Sequence, residues 1–122
     1  MVRGYRDLKV YQMAYGLAIE IFEESKLLPQ EERYSLTSQI RRSSRSVPAN
    51  IAEAYRKRQY EKLFVSKLID ADAEATETCV FLDFSRDCGY LAHERHEALS
   101  QGYEQVGKML GSMINHPEKF TT

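Results

Sequence analysis

An apolar stripe at helical spacing runs through residues 36–58 and continues across a proline. Its members recur every three or four residues, the period of one face of an α-helix. They are Leu36, Ile40, Ser44, Val47, Ile51, Ala54 and Tyr55. If Pro48 separated two unrelated helices, the phase would have no reason to carry across. The stripe therefore predicts one long helix, kinked near Pro48, because proline lacks an N–H and crowds the carbonyl four residues earlier.

Two other faces flank the apolar stripe on this helix. One face is polar and carries Gln39, Ser43, Ser46, Asn50 and Glu53. The other is basic and carries Arg41, Arg42, Arg45 and Arg56, followed by Lys57 and Arg58. An ordinary amphipathic helix has one buried and one solvated face. Three faces therefore indicate three environments, namely a bundle core, a packed polar contact and a charged surface.

Helical periodicity and helix-ending residues extend over the whole chain. We expect helices at residues 6–27, 30–58, 60–88 and 92–115. Leu28-Pro29 separates the first two, and Gly89 ends the third. No sustained period-two alternation or hairpin turn predicts a strand. Four helices joined by short links favour an all-α fold, an antiparallel up-down-up-down four-helix bundle that forms one domain over residues 1–122.

Composition and hydropathy limit the class of protein. The 122 residues are 43% hydrophobic and 29% charged, which is typical of one globular domain. No apolar run approaches the ~20 residues of a membrane span, and the N-terminal segment lacks the apolar core of a signal peptide. These observations predict a cytoplasmic protein that is not in a membrane. Cys79 and Cys88 lie too far apart on one helix for a disulfide, so we expect two free thiols.

Positive charge is concentrated in one segment. Between Arg33 and Lys67 the chain has nine basic residues and two acidic ones, although its net charge is −1. Such an uneven distribution of charge along the chain can create a local positive field on a nearly neutral protein. The basic face is either solvated and paired with acids of the third or fourth helix, or a site for an anionic partner. Since no aromatic residue is interleaved with residues 41–45, any nucleic-acid binding is expected to be directed at the backbone.

The polar face also has two interpretations. Its side chains form either a solvated flank or a buried network between helices or subunits. They are Gln39, Ser43, Ser46, Asn50 and Glu53. A buried amide or carboxylate must be paired, and this pairing would specify register and orientation.

Two other polar clusters have residue types that can bind metals. His93, His96 and Glu97 lack the HExxH spacing and occupy a first helical turn. Asp70, Glu74 and Glu77 share one helix face, and we interpret them as partners of the basic helix, within or between subunits. The sequence has no nucleophile–base set and no glycine-rich phosphate loop. We therefore expect no enzyme activity, no metal and no cofactor.

Residues 36–53, LTSQIRRSSRSVPANIAE, resemble the signature of the 23S rRNA intervening-sequence proteins. That signature is roughly Leu-Thr-x-Gln-Ile-Arg-Arg, then Ser-hydrophobic-Pro-x-Asn-Ile-Ala-Glu. Asp7-Leu8, Glu77, residues 88–91 and residues 108–110 are also similar to the family. The chain departs from the family at Ala54, where glycine is frequent, which favours a helix that continues to Arg58. It also has Ser43 and Ser44 where alanines are frequent, and their hydroxyls could help a bend.

The resemblance implies an antiparallel four-helix bundle that assembles into a ring, typically a homopentamer. Genes of this family were noticed inside sequences that interrupt large-subunit ribosomal RNA. A related branch, the accessory proteins of diversity-generating retroelements, is linked to reverse transcriptase and nucleic acid. We therefore expect a ring-forming bundle that binds RNA or DNA backbones through the basic face. The alternative is an oligomeric scaffold whose main partner is another protein.

Overall fold

The computed structural model describes residues 1–121, and every regular element among them is helical. The four long helices are α1 (Lys9–Ser25), α2 (Leu36–Arg56), α3 (Glu61–Asp87) and α4 (His93–Asn115). Short 3₁₀ turns occupy Tyr5–Asp7, Gln30–Glu32 and Pro117–Lys119. Within residues 1–121, no helix combines the length and the hydropathy needed to cross a membrane. The prediction of an all-α fold with four helices is confirmed.

The helices surround one apolar core. Each helix packs on the next in sequence, and α4 also packs on α1, so that the four form a bundle. The core receives fully buried side chains from every helix, among them Ile21, Ile51, Leu68, Leu82 and Leu110. Burying one such side chain stabilises the fold by about 1.5–3 kcal/mol, which makes this core the main source of stability.

Polar contacts join opposite ends of neighbouring helices. The Arg41 side chain, near the start of α2, reaches Ser25 at the end of α1. The Arg95 side chain, near the start of α4, reaches Glu24 in the last turns of α1. Lys67 in α3 contacts Glu53 near the end of α2. The start of α2 and the start of α4 therefore lie at the same end of the bundle, beside the end of α1.

The second helix begins six residues later than expected. Our expectation of a helix over 30–58 was wrong at its start, because Gln30–Glu32 is a separate 3₁₀ turn and α2 begins at Leu36. No residue between 30 and 35 is buried, so no apolar contact holds a helical turn there. Ser35 Oγ donates instead to Glu32 Oε1 at 2.7 Å, a local hydrogen bond that competes with helix formation. The first helix also begins later, at Lys9, behind the turn at Tyr5–Asp7.

Pro48 lies inside α2, which is continuous from Leu36 to Arg56. The apolar stripe that predicted continuity is buried on both sides of the proline, with Ile40 before it and Ile51 after it. The kink near Pro48 stays a prediction. Ala54 is fully buried, and α2 continues past it to Arg56, two residues short of the expected end at Arg58.

Gly89 ends α3, as predicted. Its φ is +81°, a left-handed conformation that glycine adopts without the steric cost of a Cβ atom. Gly89 N–H donates to Arg86 O at 2.9 Å, and Tyr90 N–H donates to Ser85 O at 2.8 Å. These two bonds form a Schellman cap, which satisfies carbonyls that the helix leaves without partners. The cap turns the chain so that Leu91 enters the core.

Helices α1 and α4 approach each other closely at Gly102. A Cβ atom at this position would lie 2.5 Å from Leu17 Cδ2, whereas at Gly107 the nearest contact would be Asp72 Oδ1 at 3.8 Å. The missing side chain at Gly102 therefore makes room for Leu17, which is buried in the core.

We predict opposite effects for alanine at these two glycines. Gly107→Ala should raise the free energy of unfolding by about 0.5–1 kcal/mol, because alanine is the better helix former. Gly102→Ala should lower it by about 1–2 kcal/mol, because Leu17 must leave its packed position. Urea denaturation at one fixed protein concentration measures both values. Equal stabilisation by the two substitutions would contradict the close approach at Gly102.

Candidate functional site

The candidate site is built on α2, whose apolar face anchors it in the bundle. The stripe positions from Leu36 to Ala54 are all buried, which confirms this part of the prediction. Because this face is held by the core, the basic and polar faces are presented at defined positions on either side of it.

Arg41 is held against α1. Its Nε donates to Ser25 Oγ at 2.7 Å, and its guanidinium lies 4.9 Å from the centre of the Phe22 ring. The side chain is only half-exposed. A cation on the face of an aromatic ring is attracted by the ring quadrupole. Arg41 is therefore positioned by α1, although no carboxylate neutralises it among the described residues.

Arg42 forms ion pairs with two carboxylates of α3. Its guanidinium contacts Glu74 at 3.0 Å and also pairs with Glu77. This confirms that Glu74 and Glu77 are partners of the basic helix within one chain. Asp70, the third acid of that cluster, contacts Lys67 of its own helix at 3.7 Å. Arg42 therefore contributes little free positive charge to the basic face.

Three of the candidate basic residues are exposed and, within residues 1–121, have no ion pair with a carboxylate. They are Arg45, Arg56 and Lys57. Arg45 lies over the Phe22 ring, with its guanidinium carbon 5.6 Å from the ring centre. Arg58 covers the Tyr55 ring at 4.1 Å, and its Nη1 donates to Tyr55 O at 3.0 Å. No carboxylate of the described residues forms an ion pair with any of these four side chains.

The polar face bonds mainly within its own helix. Ser46 Oγ donates to Arg42 O at 2.9 Å, and Asn50 Nδ2 donates to Ser46 O at 2.8 Å. Gln39 is exposed and accepts from Arg42 Nε at 3.2 Å. Glu53 is also exposed and reaches α3 through Lys67 at 3.5 Å. Within one chain these four side chains form a partly solvated flank, and a buried network between subunits stays a prediction.

A buried hydrogen bond joins Ser43 of the polar face to α3, and sequence reasoning did not identify its partner. Thr78 Oγ1 donates to Ser43 Oγ at 2.8 Å, and both side chains are fully buried. Helical spacing placed Ser43 on the polar face, but spacing within one helix does not reveal which residue of another helix faces it. Thr78 Oγ1 also lies 2.9 Å from Glu74 O, so the bond matters most for Ser43, whose other contact, with Ile40 O, is 3.4 Å long.

A groove between α1 and α2 was also missed. Its volume is about 550 Å³, and its lining includes Tyr5, Tyr11, Tyr15 and Arg45. Tyr15 is 52% exposed, so its ring is accessible from solvent. The only sequence signal for the groove was the run of aromatic residues on α1. This run indicates a groove only once the position of α2 beside α1 is known.

The other titratable groups lie away from this face. His96 is buried, with its Nε2 2.7 Å from Asp83 Oδ1, and it joins α4 to α3. In the part of the chain that the structure describes, no three potential ligands lie close enough to hold a metal ion. Cys79 and Cys88 are free thiols, and burial raises the pKa of the Cys79 thiol. A raised pKa lowers the thiolate fraction, which makes Cys79 a poor nucleophile.

Comparisons with known proteins agree with this architecture. A family model described as 23S rRNA-intervening sequence protein matches residues 6–112. A crystal structure from Bacteroides thetaiotaomicron is described as a protein with unknown function from the S23 ribosomal protein family. It is 31% identical, with a TM-score of 0.80, and the match covers 87% of this chain and 95% of that chain. No protein with a curated function matches the chain.

We predict that the Ser43–Thr78 bond is an energetic unit. Thr78→Val should lower the free energy of unfolding by about 1–3 kcal/mol, because Ser43 Oγ then keeps only a 3.4 Å contact with Ile40 O. The double variant Ser43→Ala, Thr78→Val should be less destabilised than the sum of the single variants, since no buried hydroxyl is left without a partner. A double-mutant cycle by chemical denaturation measures the coupling. Additive effects would show that the two hydroxyls act independently.

Proposed function

This chain belongs to the family of 23S rRNA-intervening sequence proteins, and we propose that it is a non-enzymatic, ring-forming bundle that binds RNA or DNA backbones. The observation that carries the proposal is a set of exposed cations on α2 and directly after its end, which no carboxylate neutralises within residues 1–121. They are Arg45, Arg56 and Lys57. Phosphates are the anions that such a surface attracts irrespective of base sequence.

Ring formation would multiply this surface. One chain offers only a few cations, and a few phosphate contacts give weak binding at physiological salt. Five copies in a homopentamer would place the same cations around one axis. A long nucleic acid could then contact several copies together, which raises its apparent affinity without any new contact.

An exposed apolar stripe on the outer face of α3 favours the proposal that the chain assembles. The helix has a second apolar stripe, on the side opposite its buried face, formed by Ile69, Ala73, Val80 and Phe84. Phe84 is 56% exposed and Ile69 is 51% exposed. A helix that is apolar on two opposite sides is typical of one buried between two layers. We therefore propose that this stripe, named here the outer stripe of α3, contacts a second copy of the chain.

A protein partner is the alternative, and two observations favour it. Arg42, the second arginine of the signature, is neutralised by Glu74 and Glu77. The outer stripe of α3 is also the kind of exposed apolar surface that binds proteins. In this interpretation the bundle is an oligomeric scaffold, and its remaining cations serve only solubility.

A matched pair of arginines tests the proposed function. Arg45→Gln and Arg42→Gln each remove one positive charge, from positions three residues apart on the same helix. We expect Arg45→Gln to weaken the binding of a 30-nucleotide RNA, because Arg45 is free, and Arg42→Gln to change it little. The triple variant Arg45→Gln, Arg56→Gln, Lys57→Gln should flatten the salt dependence by about 0.7 in log K per log salt for each phosphate that the variant no longer neutralises.

Fluorescence anisotropy with labelled RNA between about 20 and 200 mM salt, the range over which counterion release changes affinity most, provides these values. Equal effects of Arg45→Gln and Arg42→Gln would contradict binding through the free cations. Failure of the unaltered protein to retain RNA or DNA at low salt would reject nucleic-acid binding altogether and favour the scaffold.

The outer stripe of α3 gives a separate prediction about assembly. Val80→Glu places a charge at its centre and should reduce the mass in solution toward that of a single chain, with helix content unchanged. Gln105→Glu, at an exposed position of α4, is the matched control and should leave the mass unaltered. Light scattering coupled to gel filtration measures both. An intact oligomer in Val80→Glu would show that another face mediates assembly.

A further inference from the structure

The groove between α1 and α2 combines aromatic walls with a small-residue base. Tyr5, Tyr11 and Tyr15 come from the N-terminal turn and α1, whereas Ala49 and Ala52 come from α2. The Tyr5 and Tyr11 rings meet edge to face with centres 5.0 Å apart, and the Tyr11 and Tyr15 centres are 5.9 Å apart. Because alanines form the base, the space between the helices is open to about 550 Å³. A volume of this size is usual for a ligand-binding cleft.

Cations lie on aromatic rings at both ends of this groove. At one end the guanidinium groups of Arg41 and Arg45 lie 4.9 Å and 5.6 Å from the centre of the Phe22 ring. At the other end the guanidinium of Arg6 lies 4.7 Å from the centre of the Tyr5 ring. No acidic side chain is among the residues that line the groove in the described part of the chain. The groove is therefore apolar along its length and positive at its ends.

Aromatic rings flanked by cations are the elements of sites that bind single-stranded nucleic acids. Bases stack on the rings, whereas the cations follow the phosphates. In a duplex the bases are stacked inside the helix and are not available to such rings. The groove thus adds a contact that the cations alone cannot supply, and this contact requires unpaired bases.

We propose that the groove between α1 and α2 binds unpaired bases of a single-stranded RNA or DNA, with Tyr15 as the exposed stacking surface and Arg45 on a flanking phosphate. This inference rests on the proposed function, because it assumes that nucleic acid is the anionic partner. It adds to that function a preference for single strands over duplexes.

The charges of the groove favour this occupant over a second copy of the chain. A contact between this groove and the same groove of a second copy would remove Arg45 from water with no carboxylate to pair with it, and burying an unpaired charge is costly. The outer stripe of α3 is apolar and does not raise this difficulty. A phosphate backbone, in contrast, brings its own negative charge into the groove.

Abasic oligonucleotides separate stacking from backbone binding. A 12-nucleotide single strand and an abasic strand of equal length carry the same phosphates, but only the first carries bases. We expect the unaltered protein to bind the normal strand more tightly than the abasic strand and the duplex. Tyr15→Ala should weaken the binding of the normal strand by at least about fivefold and leave the abasic strand unaffected. Tyr15→Phe should retain the affinity, because it keeps the ring.

Tyr34→Ala is the matched control, since Tyr34 is exposed, lies outside the groove and should not alter binding. Equal affinity for normal and abasic strands, with sensitivity to Arg45→Gln, would overturn the stacking inference and leave the proposed function intact. No binding of either strand at low salt would overturn both. If Tyr15→Ala changed the mass of the oligomer but not the affinity for the normal strand, the groove would be an interface between copies, and the inference would be rejected.

Discussion

The burial of one face of α2 between α1 and α3 is the constraint on which the other features depend. Val47 and Ile51 are fully buried although Pro48 lies between them in the same helix. A proline inside a helix costs about 3 kcal/mol or more, and burial of the neighbouring apolar side chains offsets that cost. With this face held in the core, the rotation of the helix is set. The positions of its arginines relative to α1 and α3 follow from that rotation.

Arginine side chains have different surroundings on the two sides of α2. Arg42 faces α3, whose acidic residues Glu74 and Glu77 neutralise it. Arg45 faces α1, where it meets the Phe22 ring and no carboxylate. An aromatic ring orients a guanidinium without cancelling its charge, so Arg45 remains available to an external anion. The distinction between a structural and a free arginine therefore comes from the neighbouring helix.

Much of the fold could be predicted from the sequence, because helix periodicity and helix-ending residues are local signals. The stripe through Pro48 predicted the buried face of α2, and Gly89 predicted the end of α3. The start of α2 could not be predicted in this way, because residues 30–35 have favourable helix-starting residues but no apolar contact to hold them. The groove and the Ser43–Thr78 bond depend on which faces of two helices meet, and one sequence does not contain that information. The candidate site residues were predicted from charge alone, which did not distinguish Arg42 from Arg45.

The Schellman cap at Gly89 has a consequence for motion at one end of the bundle. It directs Tyr90 toward the turn before α2, where its hydroxyl donates to Glu32 Oε2 at 3.1 Å. Glu32 also accepts from Ser35, and this bond, more than the one from Tyr90, lowers the pKa of its carboxyl group. The loop between α1 and α2 is thereby connected to the loop between α3 and α4. This bond restrains the two loops relative to each other, and one loop cannot move away from the other without breaking it.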